Sequence, residues 1–382
     1  MFGYAVNRMY IYRIFAAIMY IHQIKQWPNF TWDYDQLSTR LSEIRYRQGS
    51  VLGKMDVMGF KLKEEAILQT LTLDVVKSSE IEGELLNTDQ VRSSIAKHLG
   101  IKVGGVPVKD RHVEGVVEMM LDATQQYSSV LTKERLYSWH SALFPTGRSG
   151  ISKIVVGQWR QGIKGPMQVV SGAAGRERVH FEAPDAKLVD KEMDLFLTWF
   201  EGQQQLDQVL KAAIAHLWFV TVHPFDDGNG RITRAITDMQ LARADHTGQR
   251  FYSMSAQIQK ERSAYYHILE TTQKGNLDIT GWLLWFLNCL DRAMDSTGHI
   301  LAKINKRSTF WDVNRQTPLN GRQQKMLDIM LDDFYGKLNV SKWAKITGCS
   351  TDTALRDIQD LVAKGILEKE DGGGRSTSYR LK

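Results

Sequence analysis

Apolar positions recur at helical spacing through most of the chain, and the polar breaks between them mark out the elements. Leu37, Leu41, Ile44 and Tyr46 form a stripe behind Thr31 and Asp33, either of which can cap the helix they begin. Over residues 62–86, Ala66, Ile67, Leu71, Leu73, Val75 and Val76 predict a helix with a broad apolar face. It closes in Ser78-Ser79-Glu80-Ile81-Glu82-Gly83-Glu84, where Ser78 and Glu82 stand four apart on one face and Gly83 stops the helix or admits another backbone. Further amphipathic helices are predicted over residues 86–99, 113–126, 131–143, 187–201 and 258–272, and a strongly apolar one over 279–300 closes the core. Within 131–143, His140 reads as a satisfied polar contact, because no acid is spaced to partner it. Residues 167–172 and 178–181 alternate as strands around Gly172-Ala173-Ala174-Gly175, which predicts a hairpin.

The stretch with the densest chemistry follows an almost wholly apolar helix at 210–222. It runs His223-Pro224-Phe225-Asp226-Asp227-Gly228-Asn229-Gly230-Arg231-Ile232-Thr233-Arg234. Pro224 and the two glycines break the first helix, and Ile232, Ile236 and Met239 begin a second. Gly228-Asn229-Gly230 can gather backbone N–H groups around one point at a helix N-terminus, which favours an anion. Arg231 and Arg234, three apart, can reach the same anion. One bend thus offers a base, a carboxylate for a cation, a phosphate nest and two arginines.

Composition narrows the setting. At 382 residues the chain is long enough for two or three domains, and 43% hydrophobic with 24% charged residues is the balance of a globular protein. A net charge of +6 does not by itself argue for nucleic acid. Cys289 and Cys349 are the only cysteines, too far apart for a disulfide framework, so a reducing, cytoplasmic compartment is expected. No apolar run reaches the roughly 18 residues a membrane span needs. Residues 1–18 faintly resemble a signal peptide but lack a cleavage site, and Met19 reads as the natural start behind an upstream extension.

The segment from His223 to Arg234 resembles the signature of the Fic family, H-x-F-x-[D/E]-G-N-G-R-x-x-R, at every constrained position. The resemblance implies a mainly α fold: a Fic helical core with a small β-hairpin flap. It further implies a protein adenylyltransferase that moves AMP from ATP to a Tyr, Thr or Ser hydroxyl and releases pyrophosphate. In that reading His223 is the base and Asp227 holds Mg²⁺. Gly228, Asn229, Gly230, Arg231 and Arg234 bind the ATP phosphates, and Tyr266 lies near the nucleotide's adenine base. Phe225 anchors the loop, Pro224 shapes the turn, and Asp226 faces solvent. Ser78-x-x-x-Glu82-Gly83 resembles the family's inhibitory motif in its N-terminal, class II placement, so Glu82, with Ser78, is expected to occupy Arg234. The hairpin after Gly157-Gln158-Trp159-Arg160 resembles the flap, which adds a strand to a target's backbone. Trp27-Pro28-Asn29-Phe30-Thr31-Trp32 resembles an N-terminal module found before some Fic domains and is assigned to packing.

The implied division is an N-terminal helical module at 19–105, a catalytic domain at 106–302, a polar linker at 303–317 and a winged helix at 318–382. Within the last, residues 338–350 and 351–364 resemble a helix-turn-helix, with Leu355, Ile358, Leu361 and Val362 buried and a glycine-tipped wing at 365–381. Arg356 and Lys364 face Asp352, Asp357 and Asp360 there, which disfavours DNA and points to docking or regulation. Alternatives are another Fic-type transfer (UMP, phosphate, phosphocholine), removal of AMP, a transcriptional regulator with a Fic sensor core, or a fused toxin–antitoxin. The expected partners are ATP, an unidentified target protein or the chain itself, and a second copy in a homodimer.

Overall fold

The computed structural model describes residues 19–101, 106–108, 110–163, 165–172, 176, 178–331, 334, 336–370 and 377–382. The upstream stretch 1–18, the tip of the central hairpin at 173–175 and the tip of the expected wing at 371–376 lie outside the described residues. The elements, in order, are α1 (Tyr34–Asp56), α2 (Phe60–Ile81), α3 (Thr88–His98), α4 (Arg111–Gln125), α5 (Lys133–Leu143), β1 (Arg148–Ser149) and β2 (Ser152–Lys153). Then come β3 (Gln168–Ser171), β4 (Arg178–Glu182), α6 (Val189–Glu201), α7 (Gln208–Val222), α8 (Asn229–Asp245), α9 (Met254–Lys260), α10 (Arg262–Gln273) and α11 (Thr280–Val313). The chain ends in α12 (Gly321–Leu331), α13 (Val340–Thr347), α14 (Thr351–Ala363), β5 (Leu367–Lys369) and β6 (Tyr379–Leu381). The protein is mainly helical, and its strands form two-stranded antiparallel pairs.

By packing, the described residues divide into one unit within 19–52 and 70–293 and another within 53–69 and 294–382. At the centre of the first lie α7 and α8, packed along one another. Every residue from Val209 to Val222 on α7 is buried, which explains why that helix is apolar on nearly every side rather than striped. α4 and α5 pack on α8, and α6 packs on α7 through Phe196 against Trp218 and Phe219. His216 joins three helices: Nδ1 lies 2.9 Å from the Thr237 hydroxyl on α8 and Nε2 2.9 Å from that of Tyr265 on α10. Arg250, also buried, reaches Asp238 at 3.0 Å and Asp245 at 3.2 Å, so each buried carboxylate meets a cation.

Several expectations change. Asp33 caps α1 by accepting from the amides of Asp35 and Gln36. Tyr46 does not join the stripe of α1 but is 79% exposed; Gln48 is buried instead, donating to Asp245 Oδ1 at 2.9 Å. α2 ends at Ile81, and Gly83 takes the left-handed φ of 85° that turns the chain away. The predicted helix at 258–272 is two, α9 and α10, parted at Glu261. The polar stretch at 303–317 is no linker through most of its length, because α11 continues to Val313.

In the second unit, α12, α13 and α14 surround Trp343, and β5 pairs with β6. A lone bridge from Leu338 to Tyr379 extends that pair. Leu355 and Val362, expected in the core, are 36% and 37% exposed; Ala354, Asp357, Ile358 and Leu361 form the inward face. Asp357 is turned inward and held by Arg322 at 2.8 Å and Asn320 at 2.9 Å, so its charge is spent within the unit. The outer face of α14 is therefore less acidic than the residue count suggests. Among the described residues no helix is long and apolar enough to cross a membrane.

Candidate active site

The bend between α7 and α8 is built by its own backbone and side chains. His223 terminates α7 with a left-handed φ of 51°, its N–H donating to Phe219 O at 3.0 Å. A residue with a Cβ pays for that conformation, and such strain persists where the surroundings impose it. Arg160 supplies part of those surroundings. Its Nε donates to His223 O at 2.8 Å, its Nη2 to Pro184 O at 2.5 Å, and its backbone N–H to Pro224 O at 2.9 Å. It thereby satisfies carbonyls that the end of α7 leaves unpaired. Asn229 clasps the turn from within: Oδ1 accepts from Phe225 N at 2.9 Å and Nδ2 donates to Phe225 O at 2.8 Å. Phe225 is buried and stacks on His140, with centroids 4.2 Å apart.

His140 is a satisfied core histidine. Its Nε2 donates to Asp227 O at 3.1 Å and its Nδ1 accepts from Gly157 N at 3.2 Å, a pattern only one neutral tautomer provides. Burial pushes its pKa from 6.5 down to about 4. The ring is neutral when folded and has an ordinary pKa when unfolded. Its stabilising contribution is thus complete above pH 6.5 and lost as pH falls toward 4, at most about 3 kcal/mol for such a shift. Unfolding free energies measured across that window should fall less steeply in His140→Gln than in wild type; parallel slopes would contradict the assignment.

His223 is held by its other ring nitrogen. Nδ1 lies 3.1 Å from Val220 O, and a carbonyl can only accept, so Nδ1 carries the proton and Nε2 presents a lone pair. Burial lowers its pKa, against a smaller upward pull from that same hydrogen bond. Asp227 is fixed on both oxygens: Oδ1 accepts from Gly228 N at 2.5 Å and Oδ2 from the Ser149 hydroxyl. Asp226 does not simply face solvent; it is half-buried, and its Oδ2 accepts from Val155 N at 3.0 Å.

Gly228 begins α8 at φ 79°, packed so closely on Phe144 that a Cβ would come within 2.9 Å of the ring. Over Gly230 lies the carboxylate of Glu82, whose Oε1 would stand 2.0 Å from a Cβ at that position. The same oxygen accepts from Arg234 Nη2 at 2.8 Å. Arg234 also donates from Nε to Ser78 Oγ at 2.9 Å and from Nη2 to Ser78 O at 2.7 Å. The pair Ser78 and Glu82 therefore meets the second arginine of the bend, while Arg234 Nη1 stays buried without a hydrogen-bond partner. Arg231 turns elsewhere. Its Nη1 donates to Glu84 Oε2 at 2.5 Å, and its guanidinium lies 5.1 Å above the Phe144 ring.

A cavity of about 810 Å³ opens over the bend. It is lined by Glu82, His223, Asp227 and Gly230 on one side and by Val169, Val170 and His180 of the β3–β4 hairpin and Tyr266 on the other. That volume falls within the range of small-ligand sites. The hairpin pairs Gln168 with Glu182 and Ser171 with Arg178, with an irregularity between Val169 and Val170. His180 ties it to Glu270 of α10 at 2.7 Å. Tyr266 is 37% exposed and carries the Arg262 guanidinium 5.4 Å from its ring centroid. The side chains of Ser78, Glu82, His223, Asp227, Arg234 and Tyr266 are thus gathered at or just beneath one cavity. Asn229 offers only its backbone, since its side chain is spent on Phe225. Sequence reasoning gave no role to Arg160, Ser149, Glu84 or His112.

An apolar central helix closed by a left-handed histidine, a Gly-Asn-Gly start to the next helix and a flanking hairpin define the class. Residues 130–241 match the Fic/DOC family, and the chain carries a domain of that family. Residues 20–101 match a second family described as a domain of unknown function, DUF4172. A relative named protein adenylyltransferase Fic from Drosophila grimshawi is 33% identical over 105 residues, which is 27% of this chain and 20% of that protein. Its counterpart from Drosophila melanogaster is 32% identical over 105 residues, with the same shares covered. The chain therefore spans about a fifth of the length of these curated relatives. A Fic domain containing signaling protein from Bacteroides thetaiotaomicron shares the fold, with a TM-score of 0.50 and 20% identity over 69% of this chain and 98% of that one.

Proposed function

We propose that the protein is an adenylyltransferase that moves AMP from ATP to a hydroxyl of a protein, and that Glu82 holds it inactive. The observation that carries this reading is Glu82 Oε1 lying over Gly230 and 2.8 Å from Arg234, where an anion would otherwise meet both the α8 N-terminus and a guanidinium. The buried, unpartnered Nη1 of Arg234 fits a phosphate oxygen as its missing acceptor.

His223 Nε2, free to accept, takes the proton of the incoming hydroxyl. That oxygen bonds to the α-phosphorus while the bond to the β-phosphate oxygen breaks, and pyrophosphate departs. The backbone at Asn229 and Gly230 donates to the phosphates, the Gly228 N–H being held by Asp227, and Arg234 neutralises the charge that builds on the leaving group. Asp227, a hard carboxylate oriented by Ser149 and by its own loop, fits Mg²⁺ as a single protein ligand. Bound there, the ion would neutralise phosphate charge. Tyr266 and the Arg262 guanidinium offer a face on which a base can stack. The hairpin edge is suited to receive an extended segment of the target or of a second copy. The C-terminal unit reads as a winged helix used for docking, its α14 presenting Leu355 and Val362 rather than a basic face.

The test is intact mass of the wild type and of Glu82→Gly after incubation with Mg²⁺ and each of ATP, GTP, CTP and UTP. A gain of one adenylyl group with ATP alone, in the variant, is the expected result. A gain with another nucleotide, or of phosphate only, would replace the proposed reaction.

A further inference from the structure

The inhibitory segment does not stop at Glu82. Two residues on, beyond the turn at Gly83, Glu84 reaches the other arginine of the bend. Its Oε2 accepts from Arg231 Nη1 at 2.5 Å and lies 3.1 Å from His112 Nε2, on the second residue of α4. Arg231 is buried, 1% exposed, with its guanidinium set against Phe144 and its Nε left without an acceptor. Among the described residues the cavity is lined by Glu82 and Gly230 but by neither Arg231 nor Arg234. The expectation that Arg231 faces the phosphates is thus unmet in this arrangement. Both cations of the bend are taken by acids from one short stretch of chain, each through a charge-assisted hydrogen bond.

We propose that Glu84, braced by His112, is a second acidic lock, withholding Arg231 from a bound triphosphate as Glu82 withholds Arg234. The pairing is not a surface accident: Arg231 is buried, and Glu84 is half-buried between two partners from separate helices. Both contacts support a charged carboxylate; although burial opposes it, His112 and Arg231 together pull the Glu84 pKa below its ordinary value. The consequence is that full opening of the site takes two releases, and the first alone gives partial activity. A variant lacking Glu82 alone frees Arg234 but leaves Arg231 turned aside.

This rests on the adenylyl-transfer reading only in supposing that the bend receives phosphates. The test therefore uses inorganic tripolyphosphate, which has no base and is not a substrate, beside ATP. Calorimetric affinities are measured for Glu82→Gly, Glu82→Gly with Glu84→Gln, and Glu82→Gly with His112→Ala. Adding Glu84→Gln should tighten tripolyphosphate and ATP roughly tenfold, the scale of one charged hydrogen bond exchanged. His112→Ala should give a smaller gain in the same direction, and it leaves Glu84 in place should the first combination fold poorly. Adding Arg231→Gln should erase the gain; a gain that survived would be mere charge repulsion, and the lock would be abandoned. Unchanged or weaker binding on adding Glu84→Gln would also overturn it, making Glu84 an orienting partner for Arg231. If tripolyphosphate tightens while no nucleotide yields transfer, the lock stands and the reaction reading falls.

Discussion

Glu82→Gly is expected to raise adenylylation by about 10- to 100-fold, taking about 1.5–3 kcal/mol for a charged hydrogen bond and about 1.4 kcal/mol per factor of ten. The substitution deletes the acceptor that sits 2.8 Å from Arg234 and clears the space above Gly230. Arg234 keeps its two bonds to Ser78, so its guanidinium should remain in place for a phosphate rather than wander. Glycine also removes a side chain from a turn next to Gly83 and touches no apolar core. The rate is followed by incorporation of α-phosphate-labelled ATP. A variant no faster than wild type would place the brake elsewhere.

In that activated background, His223→Ala should reduce incorporation by about 10²- to 10⁴-fold, the usual contribution of a positioned general base. The argument is the tautomer. Val220 O holds the proton on Nδ1, burial keeps the ring neutral, and Nε2 is left as acceptor toward the cavity. ATP affinity should change little, because the imidazole makes none of the phosphate contacts assigned to the α8 start and Arg234. Separate measurement of binding and turnover checks this. Retained turnover would give the proton to another group, whereas loss of affinity alone would make His223 a binding residue.

The bend was legible because its constraints are local. A helix breaker, two glycines and two arginines within twelve positions leave little freedom, and Ser78 and Glu82 announce a shared face by spacing. What escaped notice depends on contacts between distant segments. Arg231 and Glu84 are 147 positions apart, and Ser149 and Asp227 are 78 apart, so periodicity carries no trace of either pair. Arg160 ends the Gly157-Gln158-Trp159-Arg160 segment, but its capping of α7 follows only from the fold. Tyr46 and Gln48 exchanged roles because Gln48 continues the spacing of Leu37, Leu41 and Ile44, and the buried carboxylate of Asp245 gives its amide an acceptor. On α14 four apolar side chains competed for one narrow face, and the small unit placed Asp357 inward with Arg322 while Leu355 and Val362 stayed outside. The stretch at 303–317 looked like a connector because it is polar, yet it holds no proline or glycine to end α11.

Asn229 grips both backbone groups of Phe225 without help from Glu82, so the shape of the bend is settled before any ligand arrives. On the reading proposed above, acid and triphosphate would then contend for one preformed receptor. The contender tethered to the chain would act at a fixed effective concentration, set by the short span from α2. On the proposed reading, whatever ATP level first opened the wild type would be a measure of that tether, and a partner that pulled on α2 would reset it while leaving the receptor untouched.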